Sequence, residues 1–301
     1  MEIAPFPDRS RPPRIAITAG DPAGIGPEVV ARAAADPRVA AACEPVVYGA
    51  PADESFAPGV LSAEAGRAAF DAIVRAVADA QGGSVHAIAT APVNKEAFRL
   101  AGLPWSGHTD LLAHLTGAPH VAMMFHSDVL RVVLATVHIP LADVPGRLTR
   151  ESLEATIALT AAELPRFGIA APKIAVAGLN PHAGEHGLFG SEEARTIAPA
   201  VEACRSRGID VSGPFPGDTI FVRARRGEFD VVIACYHDQG LIPVKLLAFG
   251  EAVNVTLGLP IVRTSVDHGT AFDIAGKGIA DPASMVAAVL LAARLARRPQ
   301  V

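Results

Sequence analysis

Three histidines lie just beyond three apolar segments of the sequence, where buried strands are predicted to end. His138, His182 and His237 each follow such a run by only a few residues. If the three strands are parallel, their carboxyl ends meet at one edge of the sheet, where α/β proteins bind their ligands. Three neutral imidazoles with an open coordination position are typical of a catalytic transition-metal site. The pattern predicts a bound divalent metal, with Zn, Co, Ni or Mn favoured over Mg.

Nearby carboxylates fit the same interpretation. Asp218, Asp238 and Asp267 follow the histidine segments closely enough to orient metal-bound imidazoles. Taken singly, any one histidine is more often a structural residue in a polar turn, with its ring hydrogen-bonded to the backbone. The metal hypothesis therefore depends on the three histidines sharing one context.

A second group of residues has the chemistry of anion recognition. Lys245, Asn254 and Arg263 place an ammonium, an amide and a guanidinium within a short span, as a phosphate or carboxylate site would require. His108 and Thr109 stand at the start of a predicted apolar helix, where an anion is favoured. The alternatives are scattered surface charges for the first group and ordinary helix capping by Thr109 for the second.

Elements that would position these residues alternate along the chain. Short apolar runs, typical of buried strands, are interleaved with segments of helical periodicity, which predicts α/β layers with a largely parallel sheet. The glycine-rich stretch 19–28 follows a predicted strand and opens a helix, but it is not a GxGxxG fingerprint. The main predicted helices span 62–80 with Ser62 as N-cap, 149–167 with Thr149 as N-cap, and the alanine-rich 285–296.

Composition excludes several classes of protein. The 301 residues are 50% hydrophobic with a formal net charge of -5, which argues against nucleic acid or an anionic membrane as the partner. No apolar run approaches the roughly 18 residues of a membrane span, and residues 1–13 lack the apolar core of a secretory signal, so we expect an irregular lead-in there. Three cysteines without a CxxC pair indicate neither disulfides nor a thiolate metal site. A reducing cytoplasm is the expected location.

Seven motifs make the chain resemble the 4-hydroxythreonine-4-phosphate dehydrogenase family over nearly its whole length. They are Gly-Asp-Pro-Ala-Gly-Ile-Gly-Pro-Glu at 20–28, Gly-His-Thr at 107–109, Thr-Val-His-Ile-Pro-Leu at 136–141, Asn-Pro-His-Ala-Gly-Glu at 180–185, Tyr-His-Asp-Gln-Gly at 236–240, Asn-Val-Thr-Leu-Gly-Leu-Pro at 254–260, and Arg-Thr-Ser-Val-Asp-His-Gly-Thr-Ala at 263–271. The resemblance implies that His138, His182 and His237 bind the metal. It also implies a homodimer whose sites use residues of both chains. The residues that would bind substrate are His108, Thr109, Lys245, Asn254 and Arg263.

Two stretches, 20–28 and 268–278, are also similar to hallmarks of isocitrate and isopropylmalate dehydrogenases. In those enzymes the second loop holds the adenosine half of NAD(P), which implies cofactor contacts from His268, Gly269, Ala271 and Asp273. A carboxylate at Asp273 on the ribose hydroxyls favours NAD, with NADP as the alternative.

The implied fold is of the isocitrate/isopropylmalate dehydrogenase type, with two α/β/α lobes and a cleft between them. Residues 1–105 plus 258–301 would form the first lobe, on the NAD adenosine side. Residues 106–257 would form the second, which carries the metal, the substrate and the dimer contacts.

The implied reaction is NAD- and metal-dependent oxidation of the C3 hydroxyl of 4-phosphohydroxy-L-threonine. The β-keto acid product would decarboxylate to 3-amino-2-oxopropyl phosphate, on the route to pyridoxal phosphate (vitamin B6). Asp218, Asp238 and Lys245 are the candidate bases, and the sequence does not choose among them.

Departures from the family pattern leave the substrate open. Asp110 stands where a Glu is usual, and 125–128 is also unusual. Related enzymes act on 4-phospho-D-threonate, on 4-phospho-erythronate or on a cyclic dihydrodiol dicarboxylate. Alternatives of a different class are a metal-dependent phosphatase built on the same histidines and a non-catalytic nucleotide-binding regulator.

Overall fold

The structure is a computed structural model that describes residues 11–49 and 55–297, so most of the predicted irregular lead-in lies outside the described residues. Its strands are β1 Arg14–Thr18, β2 Glu44–Tyr48, β3 Ala87–Thr90, β4 Ala122–His126, β5 Arg131–Leu134, β6 Ile174–Ala177, β7 Val211–Phe215, β8 Val231–Ala234, β9 Val253–Leu257 and β10 Arg263–Ser265.

Helices alternate with these strands, as the sequence predicts. They are α1 Gly26–Ala34, α2 Pro37–Ala42, α3 Ala63–Gln81, α4 Lys95–Leu100, α5 His108–Thr116, α6 Val144–Arg147, α7 Arg150–Glu163, α8 Ala198–Arg205, α9 Ile220–Arg225, α10 His237–Ala248 and α11 Ala283–Ala296. Short 3-10 segments lie at Leu141–Asp143, Leu164–Phe167 and Pro181–Gly187, and a π-helical turn at Glu193–Ile197 leads into α8.

The chain divides into two compact units. Among the described residues, the first unit comprises those up to Pro119 together with 259–297, and the second is His120–Gly258. The division comes later in the chain than the boundary predicted after residue 105. Helix α5 belongs to the first unit because it packs against α3 of that unit.

The first unit is built on a parallel sheet in the order β2-β1-β3-β10. Helix α11 packs against β1, β3 and β10, and its alanine-rich sequence lets it lie close to the sheet. The predicted cap of α3 is confirmed, because the Ser62 hydroxyl accepts a hydrogen bond from the Ala65 N–H at 3.1 Å. Asp281 accepts from the Ala283 N–H at 2.9 Å, just ahead of α11, whose N-cap is Pro282.

The second unit carries a mixed sheet in the order β9-β4-β5-β8-β6-β7. Strand β4 is antiparallel to both β9 and β5, whereas β5, β8, β6 and β7 are parallel to one another. Thr149 caps α7 through a reciprocal capping box with Ser152, which confirms the predicted start of that helix. Within the described ranges, no helix has the length and apolar character needed to cross a membrane.

Candidate active site

The three histidine segments all leave the same edge of the second unit's sheet. Strand β8 lies between β5 and β6 and is parallel to both, with Leu134 paired to Ala234 and Val176 paired to Ile233. His138, His182 and His237 follow β5, β6 and β8 within a few residues. Parallel neighbours place their carboxyl ends together, so the predicted common edge is present.

Close packing of α10 onto β5 brings two of these histidines side by side. Gly240 makes this approach possible, because a Cβ there would lie 2.7 Å from Leu134 Cδ2 and 2.8 Å from Val132 Cγ1. The ring centroids of His138 and His237 are 5.4 Å apart, with the planes inclined at 44°. Two imidazoles at this separation can offer nitrogen donors to one ion after small side-chain rotations.

His237 is the first residue of α10, not a loop residue as predicted from its polar surroundings. The run of polar residues suggested a turn, but Tyr236 is extended and the helix starts directly after it. His237 Nδ1 lies 2.7 Å from Oδ1 of Asp238, so Asp238 can fix the ring and leave Nε2 for a ligand. Gln239 joins two strand ends, accepting from the Cys235 N–H and donating to the Gly178 carbonyl, each at 2.7 Å.

His182 lies in a different local setting. It sits in a left-handed turn, is exposed, and its ring centroid is 6.1 Å from that of Phe189. Across the residues that the structure describes, no three His, Cys, Asp or Glu side chains are grouped closely enough to hold a metal ion. The structure places two of the three predicted ligand side chains next to each other, and the role of all three histidines as metal ligands stays a prediction.

A cavity of about 840 Å³ opens in the second unit beside these segments. Its wall includes His182 together with two of the candidate bases, Asp218 and Asp238, and the apolar side chains Ile242 and Leu246 of α10. A carboxylate pair and an imidazole facing an apolar wall suit a small polar ligand that undergoes proton transfer. Asp218 precedes α9 by two residues, close to the predicted helix start.

Lys245 and Asn254 also belong to the second unit. Lys245 lies on α10, with its Nζ 5.9 Å from the centre of the Phe249 ring. Asn254 lies on β9, and its buried Oδ1 has no hydrogen-bond partner among the described residues. A buried amide oxygen without a protein partner is a candidate contact for a ligand.

In the first unit, Arg263 and His108 form a buried basic cluster. Burial lowers the pKa of Arg263 to about 9, so its guanidinium stays charged at neutral pH. Burial, followed by the nearby Arg263 charge, holds the pKa of His108 well below its usual value, so that ring is neutral. Nε2 of His108 is buried and has no partner in the described part of the chain. Neutral imidazole and guanidinium together present N–H donors to an anion.

Thr109 does not cap its helix. The N-cap of α5 is Gly107, which makes no side-chain capping bond, so the capping alternative for Thr109 is not realised. Asp110 instead holds the preceding loop, because its Oδ2 accepts from both the N–H and the hydroxyl of Ser106.

Arg263 is oriented by residues that the sequence analysis did not single out. The Thr90 hydroxyl accepts from Arg263 Nε at 3.2 Å and from Nη2 at 2.7 Å, and it donates to the Ser265 hydroxyl at 2.9 Å. The feature of the sequence that could have pointed to Thr90 is a threonine at the end of a predicted buried strand. Its partner lies 173 residues away in the sequence, and spacing alone could not reveal that pairing.

The predicted cofactor residues lie in one loop of the first unit, next to the glycine-rich stretch 20–26. The Ile25 N–H donates to the Thr270 carbonyl at 3.0 Å, so the two motifs are in direct contact. Ala271 has a positive φ of 44°, and buried Nε2 of His268 lacks a partner among the residues described. Asp273 is exposed and Gly269 presents open backbone. These features fit a loop that receives a polar ligand.

Comparison with known proteins agrees with this geometry. The model of the pyridoxal phosphate biosynthetic protein PdxA family matches residues 27–292. A 4-hydroxythreonine-4-phosphate dehydrogenase of Desulforapulum autotrophicum is 48% identical, with 93% of this chain and 95% of the relative covered. A D-threonate 4-phosphate dehydrogenase of Cupriavidus necator is also 48% identical, with 95% and 98% covered.

Solved structures support the same conclusion. The crystal structure of 4-hydroxythreonine-4-phosphate dehydrogenase from Klebsiella pneumoniae matches with a TM-score of 0.86 at 43% identity, covering 95% of this chain and 99% of that one. A β-decarboxylating dehydrogenase from Thermococcus kodakarensis, 19% identical with a TM-score of 0.52, covers 91% of this chain and 80% of its own and shares the fold. The predicted isocitrate/isopropylmalate dehydrogenase-like fold is confirmed. The chain therefore belongs to the PdxA family of pyridoxal phosphate biosynthetic proteins and is a dehydrogenase of that family.

Proposed function

We propose that this protein oxidises the C3 hydroxyl of 4-phosphohydroxy-L-threonine, with NAD as hydride acceptor and a divalent metal in the site. The β-keto acid that forms would lose CO₂ to give 3-amino-2-oxopropyl phosphate, a step in pyridoxal phosphate biosynthesis. The observation that carries the proposal is the pairing of His138 and His237, with ring centroids 5.4 Å apart, in a chain that matches the family over residues 27–292.

His138 and His237 would hold the metal, with His182 as the third donor. Neutral imidazoles suit Zn, Co, Ni or Mn better than Mg, which prefers oxygen ligands. The contact between Asp238 and His237 Nδ1 at 2.7 Å supports the assignment, because metal-bound histidines usually have such a partner on the second ring nitrogen. A bound divalent ion supplies positive charge that makes a substrate hydroxyl more acidic.

Proton transfer from the C3 hydroxyl would fall to Asp218, Asp238 or Lys245. Asp218 and Asp238 both face the cavity. Lys245 is on the same helix as His237. A general base must lie within hydrogen-bond reach of the proton that it removes. Each of the three candidates is on an element that begins at, or lies next to, the edge of the sheet that carries the histidines.

The substrate phosphate and carboxylate would be bound by five side chains, namely His108, Thr109, Lys245, Asn254 and Arg263. The guanidinium of Arg263 is pre-oriented by the Thr90 hydroxyl. Anchoring of the non-reacting phosphate positions C3 for hydride transfer.

NAD would bind to the loop that contains His268, Gly269, Ala271 and Asp273. Contact of this loop with the glycine-rich stretch supports the assignment, because the two motifs occur together in dehydrogenases of this fold. The Asp273 carboxylate would repel a 2′-phosphate, so we propose NAD over NADP. NAD, when bound, accepts the hydride from C3.

We also propose that the protein is a homodimer that shares its sites. Helix α10 exposes Ile242 and Leu246, and Phe249 is exposed directly after the helix end. Leu246 and Phe249 are 80% and 79% exposed. Positions three and four apart lie on one helix face, and Leu246 also lines the cavity. Such an apolar face beside a polar site fits a second copy of the chain. The resemblance to the family likewise implies sites that use residues of both chains.

Free buried cysteines fit a reducing compartment. Cys43, Cys204 and Cys235 are all buried and none forms a disulfide. Burial raises the pKa of each thiol, so these cysteines stay protonated and unreactive. We propose a cytoplasmic location and, beside the second copy of the chain and the small-molecule substrate, expect neither nucleic acid nor a membrane as a partner.

A second substrate is favoured by a specific observation. D-threonate 4-phosphate dehydrogenase of Cupriavidus necator and the 4-hydroxythreonine-4-phosphate dehydrogenase of Desulforapulum autotrophicum are each 48% identical to this chain. The two substrates share a phosphate and a secondary hydroxyl, and all the residues proposed for phosphate and metal serve both. Oxidation of 4-phospho-D-threonate is therefore the alternative activity.

The test is NADH absorbance with purified protein, each divalent metal in turn, and each phosphorylated hydroxy acid. We expect NADH formation with one of the two substrates and loss of that signal on chelation. NADH formation from 4-phospho-erythronate or from a cyclic dihydrodiol dicarboxylate alone would overturn the substrate assignment. Phosphate release without NADH would show a phosphatase, and cofactor binding without turnover would show a nucleotide-binding regulator.

A further inference from the structure

The segment that carries His182 adopts a backbone conformation that L-amino acids rarely choose. All five residues from His182 to His186 have positive φ, between 42° and 82°, and only Gly184 among them is a glycine. Runs of this kind persist only when surrounding contacts determine them. The contacts that hold this turn therefore decide where the His182 imidazole is presented.

Glu193 makes the principal contacts at the start of the turn. Its Oε1 accepts from the Asn180 backbone N–H at 2.7 Å, and its Oε2 accepts from Asn180 Nδ2 at 3.0 Å. The same Nδ2 group donates to Glu192 Oε2 at 2.8 Å. Glu193 is only 5% exposed, so its hydrogen bonds form in a poorly solvated environment and are strong.

The Glu193 carboxylate also lies against the backbone of the turn itself. A Cβ on Gly184, which has a φ of 82°, would stand 2.7 Å from Glu193 Oε2. Gly184 therefore needs to be glycine for the turn to close over this carboxylate. Glu193 itself begins the π-helical turn that precedes α8, a distortion often found at functional sites.

We propose that Glu193 is a positioning residue that holds the left-handed turn and so presents His182 to the divalent metal. The metal part of this inference rests on the proposed function, whereas the structural part rests on the described contacts alone. Neither Glu193 nor Asn180 belongs to the predicted ligand set. Residues that orient metal ligands typically change metal affinity by about 10- to 100-fold when replaced.

The experiment compares Glu193→Gln with Glu202→Gln. Glu202 lies on α8, is exposed and pairs with Arg205, so it controls for loss of one carboxylate in the same stretch of chain. Asn180→Ala is the second test variant, because it removes the two hydrogen bonds that Asn180 Nδ2 donates to Glu192 and Glu193. Each protein is analysed metal-free by amide hydrogen exchange, then titrated with Zn²⁺ and Co²⁺ by calorimetry.

In Glu193→Gln and Asn180→Ala we expect exchange in peptides covering 179–189 to accelerate at least about tenfold, while α3 and α7 exchange as in the wild type. Metal affinity is expected to fall by about 10- to 100-fold. The double variant should show less than the sum of the two single effects, because both substitutions affect the hydrogen bond from Asn180 Nδ2 to Glu193 Oε2. Glu202→Gln should match the wild type in both measurements.

Wild-type exchange in the turn of Glu193→Gln would overturn the positioning role. A loosened turn with unchanged metal affinity would overturn the link to the metal. Failure of the wild type to bind Zn²⁺ or Co²⁺ would refute the proposed function instead, and accelerated exchange in Glu193→Gln would still support Glu193 as the group that holds the turn.

Discussion

Replacement of Thr90 by valine should weaken both the first unit and the binding of a phosphorylated substrate. Thr90 is 0% exposed. Its hydroxyl donates one hydrogen bond to Ser265 and accepts two from N–H groups of Arg263, which satisfies its donor and both acceptor sites. Valine has nearly the same shape but accepts no hydrogen bond. The guanidinium of Arg263 would lose the oxygen that orients it.

The magnitude follows from the kind of hydrogen bond. A bond to a charged group contributes about 1.5–3 kcal/mol, and the one at 2.7 Å is the stronger of the two. We expect Thr90→Val to lower the free energy of unfolding by about 2–3 kcal/mol. That corresponds to a fall in Tm of about 4–12 °C for a domain of roughly 150–250 residues.

Thr90→Ser is the matched control, because it keeps the hydroxyl and loses only a buried methyl group. That loss costs about 0.5–1.5 kcal/mol. If the hydroxyl orients Arg263 as described, Thr90→Val is less stable than Thr90→Ser. If only side-chain packing matters, Thr90→Ser is the less stable variant. The KM for the phosphorylated substrate should rise at least about tenfold in Thr90→Val, which corresponds to about 1.4 kcal/mol.

The measurements are thermal unfolding by circular dichroism and steady-state kinetics with NAD. Thr90→Val as stable as Thr90→Ser, with an unchanged KM, would refute the assignment of Thr90 as the group that orients Arg263.

Three further predictions concern the metal, a buried carboxyl group and the apolar face. His237→Ala should lose at least about tenfold in metal affinity and nearly all turnover, measured by metal analysis and NADH formation; full activity in the metal-stripped variant would contradict the metal proposal. Burial raises the pKa of Asp21, which is 1% exposed, so its ionisation lowers the stability of the folded state as pH rises above about 3.8. Asp21→Asn should therefore raise Tm at pH 7, and the gain should shrink towards pH 4; a pH-independent difference in melting scans would show that ionisation is not the cause. Phe249→Glu and Leu246→Glu should shift the protein to monomers in sedimentation experiments at micromolar concentration and reduce turnover, whereas an unchanged dimer would place the interface elsewhere.

Much of the fold follows from local patterns in the sequence. Apolar runs of four or five residues marked most strands, and Ser62 and Thr149 marked the starts of two helices, because strand burial and helix capping depend on neighbouring residues. The order of the strands in the sheet was harder to predict from the sequence. Strand β8 lies between β5 and β6, although both precede it in the chain, and β4 is antiparallel within an otherwise largely parallel unit. Those pairings depend on contacts between distant segments.

The positions of the histidines at strand ends could also be predicted from the sequence, since each lies within a few residues of its strand. The place of His237 at a helix start could not be predicted in the same way, because the polar residues that follow the strand suggested a turn. In the structure Gly240 permits close packing of α10 on β5, which is a property of two segments together. The role of Thr90 also depends on two distant segments, because a buried threonine is common and this one orients Arg263 only through a contact made in the folded chain.

The His182 turn shows why a ligand set does not by itself define a site. Pro181 and Gly184 are unfavourable in the interior of a right-handed helix, but nothing local in the sequence indicates five consecutive residues at positive φ. That conformation depends on Glu193, an ordinary glutamate in a helical sequence until the fold places its carboxylate against Asn180. A chain with all three histidines and an alanine at position 193 would keep the ligand types and lose the geometry that presents one of them. Motifs therefore identify which atoms take part, whereas buried residues outside the motifs decide whether those atoms are placed to act.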